Sequence, residues 1–566
     1  MKKQSFKGLA FLALAGGVIS SCTLLKGLDY KVNPSPLEMH GDSVKVHVDV
    51  TFPPKGIRKK VSAEITPMLG DIALKTVTLQ GEKVTGNGSV INFKSGGTYA
   101  YDDIVAYRSE MENTELKVTG KVTKGKKEKP GLFQEKKIAD GTIITPNWVN
   151  KDYKVILEKD QFTRVTEQTF TAQINYERGK SDVRPVELKD KDIVALINWL
   201  KAAQTNPKIA IKSINITGYA SPEGEENKNN TLSTDRAEAA KTATINLAKA
   251  AKNSTVETVS FNLNGRGEDY EGFKRELQAS QMNEDEKNLV IRVLEMHSDP
   301  VTRETEMRNM GKTFKYLDDN IFPKLRRAEI SIVYDLTGYT DEELKTLSTT
   351  KPDSLKIEEL LFAATLTNDL ITKLQIFTAA QSKYPEDARA HNNVGAVLYM
   401  QNKAVDAKNH FEKANSLADN AIHKNNLGAC AGVAGDRAKA KQLFNQAKEA
   451  GNEVGYNMGI LQIMAGKYPE AVSSFGADAS FNKALAEVLN NSADNAVKTL
   501  DKSTDKESAQ GFYLKAIISA RQNNVDATVS YLKNAFSKDS SLKAKAAKDR
   551  EFLKFAENAT FSGAVK

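Results

Sequence analysis

Apolar and polar residues alternate strictly in "VKVHVDV": Val44, Val46, Val48 and Val50 fall on one side and Lys45, His47 and Asp49 on the other. A strand repeats every two residues, so this spacing predicts a half-buried β-strand. "VSAEITPML", "KTVTLQG", "GSVINF" and "ELKVTGKV" follow at short intervals, separated by Gly and Pro turns. Residues 30–165 therefore read as an N-terminal all-β, sandwich-like domain. From 166 to 338 the pattern changes. The strands "TFTAQINYERG", "IKSINITGYA", "TVSFNLNGRGE" and "LRRAEISIVY" alternate with the helices "DIVALINWLKAA" and "TDRAEAAKTATINLAKAA". This predicts a central α/β domain, with the second helix starting at about Thr234. Residues 269–322 carry helix-start signals, Asn283 three residues before Glu286 and Asp299 before Pro300, and read as a helical insertion. The stretch "TLSTTKPDS" marks a linker over 339–353, and residues 354–566 are helical to the end.

Within that last region Gly395, Gly428 and Gly459 recur at spacings of 33 and 31 residues. Ala407, Ala440 and Ala471 follow them at a fixed offset, and Phe411, Phe444 and Phe475 follow in turn. Small residues let two helices approach closely while Phe fills the space between neighbours. The pattern closely resembles the tetratricopeptide repeat, which implies an all-α solenoid of five or six helix pairs, closed by a polar capping segment from about 541. Asn393, Asn426 and Asn457 each stand two residues before a repeat glycine. By the same resemblance they face a concave groove, where side-chain amides hold the backbone of an extended peptide from a protein partner.

At 566 residues the chain is too long for one core, and its 40% apolar and 27% charged content is that of an ordinary soluble protein. A net charge of +8 is small for this length and does not point to nucleic acid. The basic run in residues 123–131 reads as a solvated hairpin loop. At the N-terminus, Lys2, Lys3 and Lys7 precede an apolar run over 8–19, too short to span a bilayer and of signal-peptide length. It ends in "ISSC", which resembles the bacterial lipobox. The resemblance implies a signal peptide over 1–21, a lipidated Cys22 and a short tether over 22–29, placing the chain on the outer membrane. No acid follows in Thr23–Leu24–Leu25–Lys26, so the periplasmic face is expected.

Residues 218–237, "GYASPEGEENKNNTLSTDRA", lie between a strand and the second helix of the central domain. Gly218, Tyr219, Gly224, Asn229, Leu232, Ser233, Arg236 and Ala237 match, without a gap, the motif of the OmpA-like peptidoglycan-binding family. "GRGE" at 265–268 and "RRAEI" at 326–330 resemble two further marks of that family. The resemblance covers about 120 residues around the insertion. It implies that Arg236, at a helix start, takes the carboxylate of diaminopimelate in the peptidoglycan stem peptide, with Asn229 shaping the loop. The family's aspartate, which takes the ammonium group, is Ser221 here. Glu223 then becomes the candidate for supplying that charge.

The six histidines are scattered without zinc-binding spacing, and neither a phosphate loop nor a nucleophile elbow is present. No catalysis, cofactor or metal is expected. The sequence thus predicts a lipoprotein that tethers outer membrane to peptidoglycan and scaffolds a protein partner through its repeats. The alternative is an adaptor of an outer-membrane assembly, secretion or fimbrial complex whose OmpA-like domain no longer binds cell wall.

Overall fold

The computed structural model describes residues 24–566; the signal segment and Cys22 lie outside the described residues. The chain divides into two units. One combines residues 24–158 with Asp369–Lys566, and the other is Lys159–Asn368.

In the first unit, Ser43–Phe52 is the centre of a four-stranded sheet. It pairs with Gly97–Ala106 along one side and with Asp29–Val32 and Met39–His40 along the other. A seven-stranded sheet is built on Val61–Leu69, flanked by Thr114–Lys124 and Val77–Gly81. The alternating valines do what their period predicts: Val44, Val46, Val48 and Val50 are all buried and meet Val61, Ile65, Leu116 and Val118 of the other sheet. Each such side chain contributes roughly 1.5–3 kcal/mol of hydrophobic stabilisation. The last paired strand is Lys136–Gly141. Beyond a short turn at Thr145–Trp148 the chain leaves the sheets, and residues 150–163 run extended with no strand partner. The sequence assigns this stretch to the β-domain; the structure uses it differently, as described below.

The helical part of this unit begins with Leu370–Lys383. Five antiparallel pairs follow, the first being Ala388–Met400 with Ala404–Leu417 and the last Ala509–Arg521 with Val525–Lys538. The glycine-phenylalanine spacing acts as a steric interlock. A Cβ on Gly395 would stand 2.8 Å from the Phe411 ring, and Cβ atoms on Gly428 and Gly459 would stand 2.6 Å from Phe444 and Phe475. Between the two helices of each pair one residue is left-handed, in turn Asn402, Gly435, Gly466, Asn491 and Asn523. Only Gly and Asn take that conformation at low cost. These helix pairs and their interlock resemble those of tetratricopeptide repeats. The β-layer packs against them within the unit: the Gly41 N–H donates to the Tyr468 hydroxyl at 3.1 Å, and Trp148 stacks on Tyr513 at 4.6 Å.

The second unit carries a four-stranded sheet in the order Val165–Asn175, Arg327–Thr337, Ile209–Ala220, Ser260–Glu268. Only the last two are parallel, and the crossover joining them is the helix Glu226–Ala250. That helix and Lys191–Thr205 cover a core that includes Ile214, Ile216, Ile330 and Ile332. The insertion is helical and holds its own core around Phe273, Leu294 and Phe322. Asn283 and Asp299 cap two of its helices, accepting from the Glu286 and Thr302 amides at 2.9 and 2.8 Å. In the stretch read as a linker, Thr340 and Glu343 form a reciprocal cap that starts the helix Asp341–Thr350. Among the described residues, no helix is long and apolar enough to cross a membrane.

Candidate functional site

An asparagine side chain carries one amide donor and one carbonyl acceptor, so it can satisfy both the N–H and the C=O of one extended residue. The inner helices of the repeats place four asparagines to do this in succession. Asn482 accepts from the Asn150 amide and donates to its carbonyl, both at 2.8 Å. Asn457 does the same for Lys154 at 2.7 and 2.8 Å. Asn426 holds Ile156 at 2.8 Å in both directions, and Asn393 holds Glu158 at 2.8 and 2.9 Å. Residues 154, 156 and 158 share one face of an extended chain, the period-two spacing that a strand neighbour would meet. Asn392 and Asn425 brace the ladder, donating to the Ile156 and Lys154 carbonyls and accepting from Asn426 and Asn457. All six amides are buried. The asparagines that the sequence reading leaves for a protein partner are therefore engaged by the chain's own residues 150–158. Those residues run opposite to the order of the repeats.

Side chains fix the register of this strap. Tyr153, 3% exposed, lies over Gly432, where a Cβ would stand 2.7 Å from the ring, and stacks on Phe444. Val155 and Leu157 pack on the cluster of Ala396, Ala407, Phe411 and Cys430. Burial pushes the Cys430 thiol up to about 12 and leaves it a small apolar filler at neutral pH. Asp152 accepts from the Tyr456 hydroxyl at 2.8 Å and from Asn482 at 3.0 Å, and burial raises its carboxyl pKa. Glu158 meets His423 at 2.8 Å and accepts from Asn420 at 2.9 Å. Asn482 is legible only in retrospect, because it precedes Ala484 where earlier repeats have glycine.

Ser221, Glu223, Asn229 and Arg236, the residues the sequence singles out, line a cleft of about 890 Å³ in the second unit, together with Arg178 and Arg308. Arg236 does not stand at a helix start. Its helix begins at Glu226, ten residues earlier, about 15 Å along the axis, so the positive helix end lies elsewhere. Its side chain is 1% exposed, and all three guanidinium nitrogens donate to backbone carbonyls: Lys180 and Glu177 at 3.0 Å and Tyr219 at 2.8 Å. Burial lowers its pKa to about 10, which leaves it charged at neutral pH. Each nitrogen that the sequence reading assigns to a carboxylate thus has a backbone carbonyl of the surrounding loops as a partner.

The other half of the expected clamp is also engaged. Glu223, 5% exposed, accepts from the Arg326 Nε at 3.0 Å, and the same nitrogen lies 3.2 Å from the Ser221 hydroxyl. Arg326 also donates to Asp318 at 3.1 Å. The protein's own guanidinium stands where the sequence reading puts the ligand's ammonium group. Glu223 Oε2 is buried without a hydrogen-bond partner. Asn229 donates to the Ser221 and Gly224 carbonyls and to Glu268 at 2.8 Å, and so shapes the loop. Arg178 and Arg308 are about half exposed at the cleft, with Arg178 no closer than 3.6 Å to a carboxylate. Among the described residues, no three His, Cys, Asp or Glu side chains gather as metal ligands.

No protein-family model and no curated protein matches the chain. Among solved structures it is similar to YrrB, described as a TPR protein with an unusual peptide-binding site, at 21% identity and TM-score 0.25, over 30% of this chain and 97% of that one. It is also similar to a tetratricopeptide repeat protein from Parabacteroides merdae ATCC 43184, at 17% identity and TM-score 0.28, over 38% of this chain and 91% of that one. Yeast Tom70 is similar at 12% identity and TM-score 0.25, over 65% and 70% of the two chains. The repeat assignment rests on the helix pairs and their glycine-phenylalanine interlock.

Proposed function

We propose that the protein is a lipid-anchored adaptor on the periplasmic face of the outer membrane, a scaffold whose repeats fasten its β-layer through a strap from the same chain. The asparagine ladder on residues 150–158 carries this reading, because asparagines already engaged by the chain's own strap turn the partner-binding role over to other surfaces. The lipobox-like "ISSC" supports the anchor at Cys22. Burial of Arg236 on three carbonyls and the Arg326–Glu223 pair support an OmpA-like central domain that has given up its diaminopimelate clamp.

A second reading, tethering to peptidoglycan, is favoured by one observation: Arg178 and Arg308 stand half exposed at the cleft and offer a carboxylate an alternative grip. Sedimentation of the full chain carrying Cys22→Ser with purified diaminopimelate-type peptidoglycan separates the two. The adaptor reading predicts that the chain stays in the supernatant. Co-sedimentation that is abolished by Arg178→Ala establishes the tether instead.

A further inference from the structure

The basic run near residue 123 belongs to a larger feature that no single stretch of sequence displays. Five loops converge at one pole of the β-layer. Leu25 bridges to Ile57, and the Lys26 amide donates to the Gly56 carbonyl at 2.9 Å. The Lys55 amide donates to Phe93, the Lys83 amide to Lys59, and the Gly125 amide to the Lys60 carbonyl at 3.3 Å. Hydrogen bonds that tie these backbones together bring Lys26, Lys55, Arg58, Lys60, Lys124 and Lys126 to one surface, all six exposed. None has a carboxylate within ion-pair distance among the described residues. Of the nearby acids, Glu82 is paired with Lys59 at 3.6 Å, and Glu128 lies just past the hairpin tip. Six uncompensated cations at one pole compare with a net charge of +8 for the whole chain.

The described chain begins at this same pole. Leu24 is two residues from Cys22, and two residues span at most about 7 Å. An acyl chain on Cys22 would hold the basic pole at headgroup depth. We infer that this pole is a docking surface for a bilayer bearing anionic phospholipid headgroups, a contact that sets how the protein stands on the membrane rather than whether its lipid holds it there. The inference rests on the anchored reading of Cys22 for its orientation, whereas the charge complementarity is a property of the β-layer itself.

The test uses the full chain with Cys22→Ser, so that binding owes nothing to lipid. It is sedimented with vesicles of phosphatidylcholine alone and of phosphatidylcholine with phosphatidylglycerol. The expected result is binding to the anionic vesicles only, weakening as salt rises. Neutralising three positions, Lys55→Gln, Arg58→Gln and Lys126→Gln, lowers partitioning by about a hundredfold at low salt. A control triple on the repeats, Lys413→Gln, Lys441→Gln and Lys448→Gln, leaves it within about twofold, since none of the pole's five loops carries those charges. Inorganic phosphate at matched ionic strength does not displace the protein if the surface reads a bilayer. Equal binding to both vesicles, no binding to either, equal loss in the control triple, or displacement by phosphate overturns the inference. Acylation of Cys22 in the wild-type chain, read by intact mass after membrane extraction, tests the anchor separately.

Discussion

Asn426→Ala removes the most central rung of the strap ladder. The wild-type amide accepts from the Ile156 N–H and donates to its carbonyl and to Asn392, each at 2.8 Å and in a buried setting. Asn392 still donates to the Ile156 carbonyl at 3.1 Å, so the carbonyl keeps a partner while the N–H loses its own. An orphaned donor costs about 1–3 kcal/mol and each remaining lost bond about 1 kcal/mol, which together give about 3 kcal/mol. At about 1.4 kcal/mol per factor of ten, strap opening rises roughly 100-fold. Hydrogen exchange followed by mass spectrometry on a peptide spanning 150–158 reads this directly. These amides belong to no helix or sheet, so any protection they show comes from the asparagines. Wild type should protect Lys154, Ile156 and Glu158, and Asn426→Ala should speed their exchange by about that factor. Asn445→Ala, on an exposed helix face, should leave it unchanged. Exchange at unprotected rates in wild type, or no change on Asn426→Ala, would mean that the asparagines do not hold the strap.

Gly432→Ala forces Tyr153 off its seat, because the new methyl meets the ring at 2.7 Å. Denaturant unfolding should show a loss of about 1–3 kcal/mol, partly restored by adding Tyr153→Leu. Arg236→Ala strips three backbone carbonyls of their donor and should lower the unfolding free energy of the central domain by at least about 3 kcal/mol in denaturant titrations, with Arg236→Lys restoring only part. Asp549, whose carboxyl burial raises to about 6, favours the folded state when protonated. Its contribution is full below about pH 4 and is lost as pH rises through 6. Asp549→Asn should therefore flatten the decline in stability between pH 4 and 6, by up to about 3 kcal/mol, in unfolding curves taken across that range.

Periodic features were legible from residues alone. The alternating valines, the caps at Asn283 and Asp299 and the Gly395–Phe411 type of spacing each act locally, so composition and offset carry the information. The strap was not legible. In residues 150–158, Tyr153, Val155 and Leu157 recur every second residue as one face of a sheet strand does, with the apolar Ile156 between the last two. An extended chain looks the same whether it pairs with a strand or with asparagines more than 200 residues away. Arg236 shows a different failure. The polar stretch over 226–233 has weak helix propensity and reads as loop, yet packing of Asn229, Ser233 and Arg236 into the domain extends the helix back to Glu226. The role of Arg326 depends on a partner 103 residues away and leaves no local trace.

If the repeats bind the chain's own strap, that hold should outlast removal of the central domain. Protease sites placed in residues 159–161 and 366–368 would release the central domain from the chain. The fragment ending at Glu158 and the fragment beginning at Asp369 should then elute together in size-exclusion chromatography. Changing Asn393, Asn426, Asn457 and Asn482 together to Ala should weaken that association by at least tenfold. Fragments that separate in the wild type, or a quadruple variant that holds them as tightly, would contradict the account.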